Sequence, residues 1–392
     1  MSCGGGKGVG DAGFTPSPHR SFPVLPKDDG HVLSPLTLVT ITASNDPDGD
    51  ALQAFSDELI VSSWYGAVGA EYGVGPAAAS LHRFGPAISA DLTTAQVEQY
   101  IIDVADAGGP AVNGQTLYLA YLPAPYRVSD SGDCGYHKPF PDGGQTIGDG
   151  WAMVGHCTPF ALGETPLQAL TRIGSHEIIE GVTDSFHGWR FAGTPATPWS
   201  SSVWRAYAQG GSVEVADLCE GTRILLPGRD GGLLDYSRSW SNAAAVTGGD
   251  PCVPPHPDPY FNVSFPLDWY ALDAGERAQL PMNGWSTAPR SNWLVRSYLR
   301  NGSANLLALG ADAGFWSADS TLGSITLDAG CTARTGMNDG VIGALDVDMP
   351  AAAHSGDWAV FEVRSFEEDP NLCFPPPDRD AFHFNLVGVY VP

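Results

Sequence analysis

Four prolines fall within seven residues at Pro251-Cys252-Val253-Pro254-Pro255-His256-Pro257. Proline lacks the amide hydrogen that helix interiors and central strands require, so no long regular element can run through this cluster and it divides the chain. Ahead of it, helical and strand periodicities alternate. Behind it, only short strand-like runs separated by turn signals remain. With 392 residues the chain also exceeds the ~250–300 at which single cores stop growing. Two domains are therefore expected: a mixed α/β domain over residues 31–258 and an all-β sandwich over 259–392. Residues 1–30, rich in Gly and Pro and without a hydrophobic period, read as a flexible tether.

Charge narrows the function. Forty-four Asp and Glu against 19 Lys and Arg give a formal charge of -25, which repels phosphate backbones and excludes nucleic acid as a partner. No stretch approaches the ~18 apolar residues of a transmembrane segment. Of seven cysteines, Cys3 stands apart in Met1-Ser2-Cys3-Gly4-Gly5-Gly6. A Cys after a small residue and before a Gly-rich linker resembles a bacterial lipoprotein junction, which implies a lipid anchor at Cys3. The other six can pair, and paired cysteines in an acidic chain point to an oxidising compartment, at the outer cell surface or beyond it. Local pairing is expected: Cys134 with Cys157, Cys219 with Cys252, Cys331 with Cys373.

In the first domain, Leu36 to Thr42 alternates as a strand. Asp50 is placed to cap a helix that carries Leu52, Phe55, Leu59 and Trp64 toward Tyr72. A strand over 81–84, a helix over 93–107 and a strand over 116–122 follow, and 132–150 reads as loop. The best-marked element starts at Thr165-Pro166-Leu167-Gln168, a capping box with Pro in the first helical position, and should run to about Thr183. In the second domain the strand runs are Trp293–Val295, Ser324–Leu327, Trp358–Val363 and Phe384–Val391, with no helix signal.

That marked helix ends in Ser175-His176-Glu177-Ile178-Ile179-Glu180. Residues i and i+4 share a helix face, so His176 and Glu180 project side by side with Glu177 next to them. Zinc peptidases of the HExxH kind use this spacing for two ligands, with the intervening Glu as the base toward a metal-bound water. Here the second ligand is a carboxylate, which binds zinc at a similar distance but hardens the site toward other divalent ions. A third ligand is offered by Val213-Glu214-Val215-Ala216-Asp217-Leu218-Cys219. Glu214 ranks first, Asp217 second and Asp184, two turns beyond His176, third. Asp217 also suits orientation of His176 through its other ring nitrogen.

The string His176-Glu177-Ile178-Ile179-Glu180-Gly181-Val182-Thr183-Asp184, then Trp189, then Glu214-Val215-Ala216-Asp217-Leu218-Cys219, preceded by Cys134-Gly135-Tyr136-His137, resembles a set of secreted bacterial and fungal proteins with the pattern HExxExxTDP...W...ExxDxC. The plant phosphate-induced, EXORDIUM-like proteins carry a similar one. The resemblance spans residues 36–252 and implies an extracellular metallopeptidase-like domain. Ser185 stands where the pattern has Pro.

Other residues receive weaker readings. His137 can supply an oxyanion donor or a further ligand, and so joins Glu177 as a catalytic candidate. His156, beside Cys157, is less well placed, and His187 misses the spacing of an extended zinc motif. Asp46, Asp48 and Asp50 alternate as in a calcium loop, but the remaining ligands are absent and a helix-capping turn explains them better. Ser175 lacks the Gly-x-Ser-x-Gly elbow of a serine hydrolase. Trp64, Trp189, Trp199, Trp204, Trp285, Trp293 and Trp316 offer surfaces for a sugar platform, but most are expected in the core or on sheet faces. The expectation is an exported hydrolase using a divalent metal, zinc before calcium, on a polypeptide or cell-surface polymer. The alternative is a non-catalytic surface adhesion or binding protein with a structural ion.

Overall fold

The computed structural model describes residues 14–392 apart from 111–113, 132, 140–149, 157–163, 186, 193–196, 209–211, 230, 291–292, 311–338, 341 and 368–381. It forms two compact units. One comprises Ser21–His256; the other holds residues 14–20 and nearly all of the chain from Pro257 onward.

The first unit is built on a five-stranded sheet of β1 (Thr37–Ala43), β2 (Ala79–Gly85), β3 (Thr116–Tyr121), β4 (Gly135–Pro139) and β5 (Gly150–Val154). Its order is β2-β1-β3-β5-β4. All neighbours are parallel except β4, an antiparallel edge strand on β5. Every residue of β3 is buried, as a parallel strand covered on both faces must be. The helical pattern after β1 breaks in two, α1 (Gly49–Leu59) and α2 (Ser63–Gly69). The break falls where the β-branched pair Ile60-Val61 meets Ser62, whose hydroxyl accepts the Tyr65 amide and caps a new helix. Asp48, not Asp50, is the N-cap of α1. On one side of the sheet α3 (Thr94–Asp106) packs Val97, Ile101 and Val104 against Val39, Ile41, Tyr118 and Met153.

The helix α4 (Pro166–Thr183) has the expected bounds and the capping box of Thr165 and Gln168. It is buried on nearly every side, which marks a central helix. Gly174 brings it against β3, since a side chain there would overlap the Tyr121 hydroxyl. Beyond α4 the chain forms β6 (Phe191–Ala192), α5 (Val203–Tyr207), β7 (Ser212–Val213), β8 (Arg223–Pro227), β9 (Leu233–Ser237), β10 (Ser239–Trp240), α6 (Asn242–Thr247) and β11 (Cys252–Val253). β9 runs beside α4, where the Ser237 amide donates to Ser175 Oγ at 2.8 Å.

The proline cluster is only in part a linker. β11 lies inside it and pairs with β10, the Pro251 carbonyl accepts the Ser241 amide, and buried Arg238 donates to the Pro254 carbonyl. The tether reading is corrected likewise for residues 14–30. Phe22 and Leu25 are buried in the first unit. Ser17 binds the Asp339 carboxylate and His19 stacks on Trp285 in the second. Cys3 lies outside the described residues.

The second unit is built of two sheets that share one core. One sheet joins β12 (Phe261–Ser264), β14 (Arg277–Ser286) and β16 (Ile342–Asp348); the other joins β13 (Trp269–Ala271), β18 (Phe382–Tyr390), β17 (Trp358–Glu367) and β15 (Trp293–Gly302). Phe261, Leu280 and Val347 of the first sheet share a core with Trp293, Phe361 and Val387 of the second. A short helix, α7 (Ala304–Gly310), interrupts the all-β pattern, and the strand expected at Ser324–Leu327 lies outside the described residues. Cys219 and Cys252 form the expected disulfide. Cys134 is also disulfide-bonded, while Cys157, Cys331 and Cys373 lie outside the described residues. No helix among the described residues is long and apolar enough to cross a membrane.

Candidate metal centre

Three segments converge in the first unit. α4 supplies His176, Glu177 and Glu180 on one face. The segment after β7 supplies Glu214 and Asp217. The third is β4, whose residues read as loop in the sequence. Its five residues, Gly-Tyr-His-Lys-Pro, carry no hydrophobic alternation. Gly135 nevertheless gives a signal, because a side chain there would meet Glu177 Oε1 at 2.5 Å. Only glycine lets the strand lie this close to α4, and two residues later His137 enters the cluster.

Glu180 organises the centre through its two oxygens. Oε1 accepts the backbone amides of Ala216 at 3.1 Å and Asp217 at 3.0 Å, fastening the acidic segment to α4. Oε2 faces the histidines, 3.0 Å from His176 Nε2 and 3.9 Å from His137 Nδ1. Asp217 Oδ1 lies 3.4 Å from the same His176 nitrogen, and Asp217 Oδ2 accepts the Glu214 amide at 3.0 Å. His137 is held between carboxylates, Nδ1 3.4 Å from Glu177 Oε2 and Nε2 3.1 Å from Glu214 Oε2. Glu177 is 4% exposed, and its Oε2 makes no hydrogen bond of good geometry.

Two triads, His137–Glu177–Glu180 and His176–Glu180–Asp217, each bring three ligand atoms within 4.8 Å of one another. A tetrahedral ion with ligands at ~2.0–2.2 Å sets ligand–ligand edges of about 3.3–3.6 Å, and the spacings from the histidine nitrogens, 3.0–3.9 Å, bracket these, so either group could hold a divalent cation. The order of third ligands changes accordingly. Asp217 faces the His176 nitrogen that Glu180 faces, and Glu214 turns to His137. The reason is local, since the Glu214 amide bonded to the Asp217 carboxylate closes a tight turn that presents the two side chains in different directions. Asp217 therefore does not orient His176 through the ring nitrogen remote from Glu180.

Electrostatics reflect the crowding of carboxylates. Burial opposes protonation of His137, but Glu214 and Glu177 outweigh it and hold the imidazole well above its usual range. Burial likewise opposes protonation of His176, and Glu180 and Asp217 overcome it. Burial and then the Asp217 charge push the Glu180 carboxyl up to about 8, against the pull of His176. For Asp217 burial is outweighed by His176, and its carboxyl is lowered.

The remaining candidates fall elsewhere. Asp184 caps α4, accepts the Gly188 amide and pairs with Arg190 at 3.6 Å. Burial and the Glu214 charge raise it to about 7. His156 and His187 join neither triad. Ser175 Oγ donates to the Arg172 carbonyl at 2.7 Å while accepting from Ser237, which leaves it a structural hydroxyl. Asp46 Oδ1 accepts the Asp48 amide at 3.0 Å, the turn that enters α1. Trp64, Trp204, Trp285 and Trp293 are buried and are core residues, while Trp189 and Trp199 are half-buried; Trp316 lies outside the described residues. The chain matches no family model, no curated protein and no solved structure.

Proposed function

We propose that the protein is an exported metal-dependent hydrolase of peptide bonds, with the centre on α4 as its active site. The observation that carries this reading is the division of labour at Glu180, whose one oxygen is fixed by two amides while the other faces both histidines beside a buried, poorly bonded Glu177. A purely structural ion has no need of a further, unliganded carboxylate beside it.

His176, Glu180 and Asp217 would hold the ion. Imidazole and carboxylate donors suit zinc, with manganese and other borderline or hard ions as competitors. A bound ion would lower the pKa of a water and polarise the scissile carbonyl. Glu177 takes a proton from the attacking water and delivers it to the leaving amine. His137, oriented by Glu214, donates to the oxygen on which negative charge develops. Asp217, with a side chain 38% exposed, marks the side open to solvent.

A polypeptide substrate fits the strand beside the site. β4 pairs only with β5 among the described residues, and an extended peptide can add to such an edge through its backbone. The disulfides and the resemblance of the motif to secreted metallopeptidase-like proteins support export. Elemental analysis of the purified protein, before and after chelation, tests the reading together with hydrolysis of a labelled protein substrate. At least one transition-metal equivalent and hydrolysis abolished by the chelator are expected. Calcium alone, or a tightly bound ion without hydrolysis, would favour the surface-binding alternative.

A further inference from the structure

The two triads share a single oxygen, Glu180 Oε2, and they draw on different histidines. The function proposed above uses only the triad on His176. We propose that His137 Nδ1, Glu177 and Glu180 form a second divalent-cation site, and that filling it switches hydrolysis off by capturing Glu177.

Four features of the structure support a built site. Its ligand atoms lie 3.4 and 3.9 Å from His137 Nδ1, close to the edges of a tetrahedral shell. Glu177 Oε2 is buried and makes no hydrogen bond of good geometry, facing His137 Nδ1 at 3.4 Å, so an acceptor already stripped of water is turned to the position. Glu214 lies on the opposite ring nitrogen of His137 at 3.1 Å, the arrangement by which a carboxylate fixes a histidine and leaves its other nitrogen as a metal donor. The missing side chain at Gly135 lets the strand and helix ligands come together. Three carboxylates and two imidazoles then serve two ions bridged by Glu180.

The regulatory consequence rests on the reading of Glu177 as the base. A carboxylate bound to a second cation cannot accept a proton from water, so activity should rise with the first equivalent and fall with the second. The test uses the full chain, stripped by chelator, titrated with zinc by calorimetry and followed in parallel by hydrolysis of a labelled protein. Wild type should take up two equivalents, with hydrolysis maximal near one and at least tenfold lower near two. His137→Ala and the isosteric Glu177→Gln should each lose the second equivalent and keep the first, while His176→Ala should lose the first. A single equivalent in wild type, a second equivalent retained in both His137→Ala and Glu177→Gln, or hydrolysis that rises with the second ion would overturn the proposal. Two equivalents with the expected losses but no hydrolysis at any loading would support the second site and sink the hydrolase reading instead. No zinc uptake at all would end both.

Discussion

Both units bury carboxylates, and they neutralise them in different ways. In the β-sandwich, Glu362 is 1% exposed and lies between two guanidinium groups, those of Arg300 and Arg364. Burial favours its protonation, but the two arginines overcome this and hold the carboxyl below its ordinary value. In the α/β unit, the partners of Glu177, Glu180 and Asp217 among the described residues are imidazoles and backbone amides. There the carboxyl of Glu180 is pushed up. A permanent guanidinium makes a buried acid structural, because its charge cannot leave. An imidazole can give up its proton to a cation, so the same burial leaves a place that a metal can enter.

The largest effects should separate the two kinds of acid. Glu177→Gln keeps the shape of the side chain and removes the base, so hydrolysis should fall by ~10²–10⁴-fold with the first ion still bound and the melting temperature little changed. Glu362→Ala should do the reverse. It leaves two guanidinium groups, on the face of β17 opposite Phe361 and Val363, without their shared acid, a loss of roughly 3–5 kcal/mol, read by denaturant unfolding, while hydrolysis per folded molecule stays unchanged. A large activity loss in Glu362→Ala, or a large stability loss in Glu177→Gln, would erase the distinction.

A smaller effect tests the two functions of Glu180. Glu180→Gln retains a carbonyl oxygen for the amides of Ala216 and Asp217 but weakens the ligand, so metal affinity should drop with stability nearly kept. Glu180→Ala removes both, and two amides that lose their acceptor cost about 1–3 kcal/mol each if they stay buried. Metal content and unfolding of the two variants decide the matter. Equal stability would mean that the amide contacts do not hold the acidic segment.

The sequence carried much of this centre but not its assembly. The capping box at Thr165 fixed the start of α4, and helical spacing placed His176, Glu177 and Glu180 on one face, because both depend on neighbours within a turn. The partition of Glu214 and Asp217 was not legible. It depends on a turn closed by the Glu214 amide and on amides docked to Glu180 across 36 and 37 residues. His137 was recognisable as a candidate, whereas its strand was not, since a five-residue edge strand with a polar and proline-ended sequence leaves no periodic trace. The packed N-terminal segment was hidden for a related reason. Residues 14–30 lack periodicity yet bury isolated side chains such as Leu25. The helix break at Ser62 depended on capping competing with a pattern that by itself continued to Tyr72.

The subtlest expectation concerns pH, to which the buried acid of the second unit should be indifferent between pH 5 and pH 8 while the centre on α4 responds. Glu180 in the folded, metal-free protein has a raised carboxyl, about 8, so the folded state holds a proton that the unfolded chain has released above ~4.3. His137 and His176 are also raised, so their contribution is complete below the ordinary histidine value of ~6.5 and is lost as pH rises through their folded values. All three make the metal-free α/β unit less stable from pH 5 to pH 8, while Asp217, held low, titrates below that window. Glu362 is lowered, so what it contributes is present at neutral pH and lost only as pH falls through its folded value. Hydrogen exchange of peptides from each unit, corrected for intrinsic rates, should therefore show protection around α4 declining from pH 5 to pH 8 while β17 holds. Adding zinc should reverse the trend at α4 alone, because the ion takes the place of protons that high pH removes. Parallel profiles in the two units, unaffected by zinc, would mean that the buried acids of α4 are neutralised as permanently as Glu362.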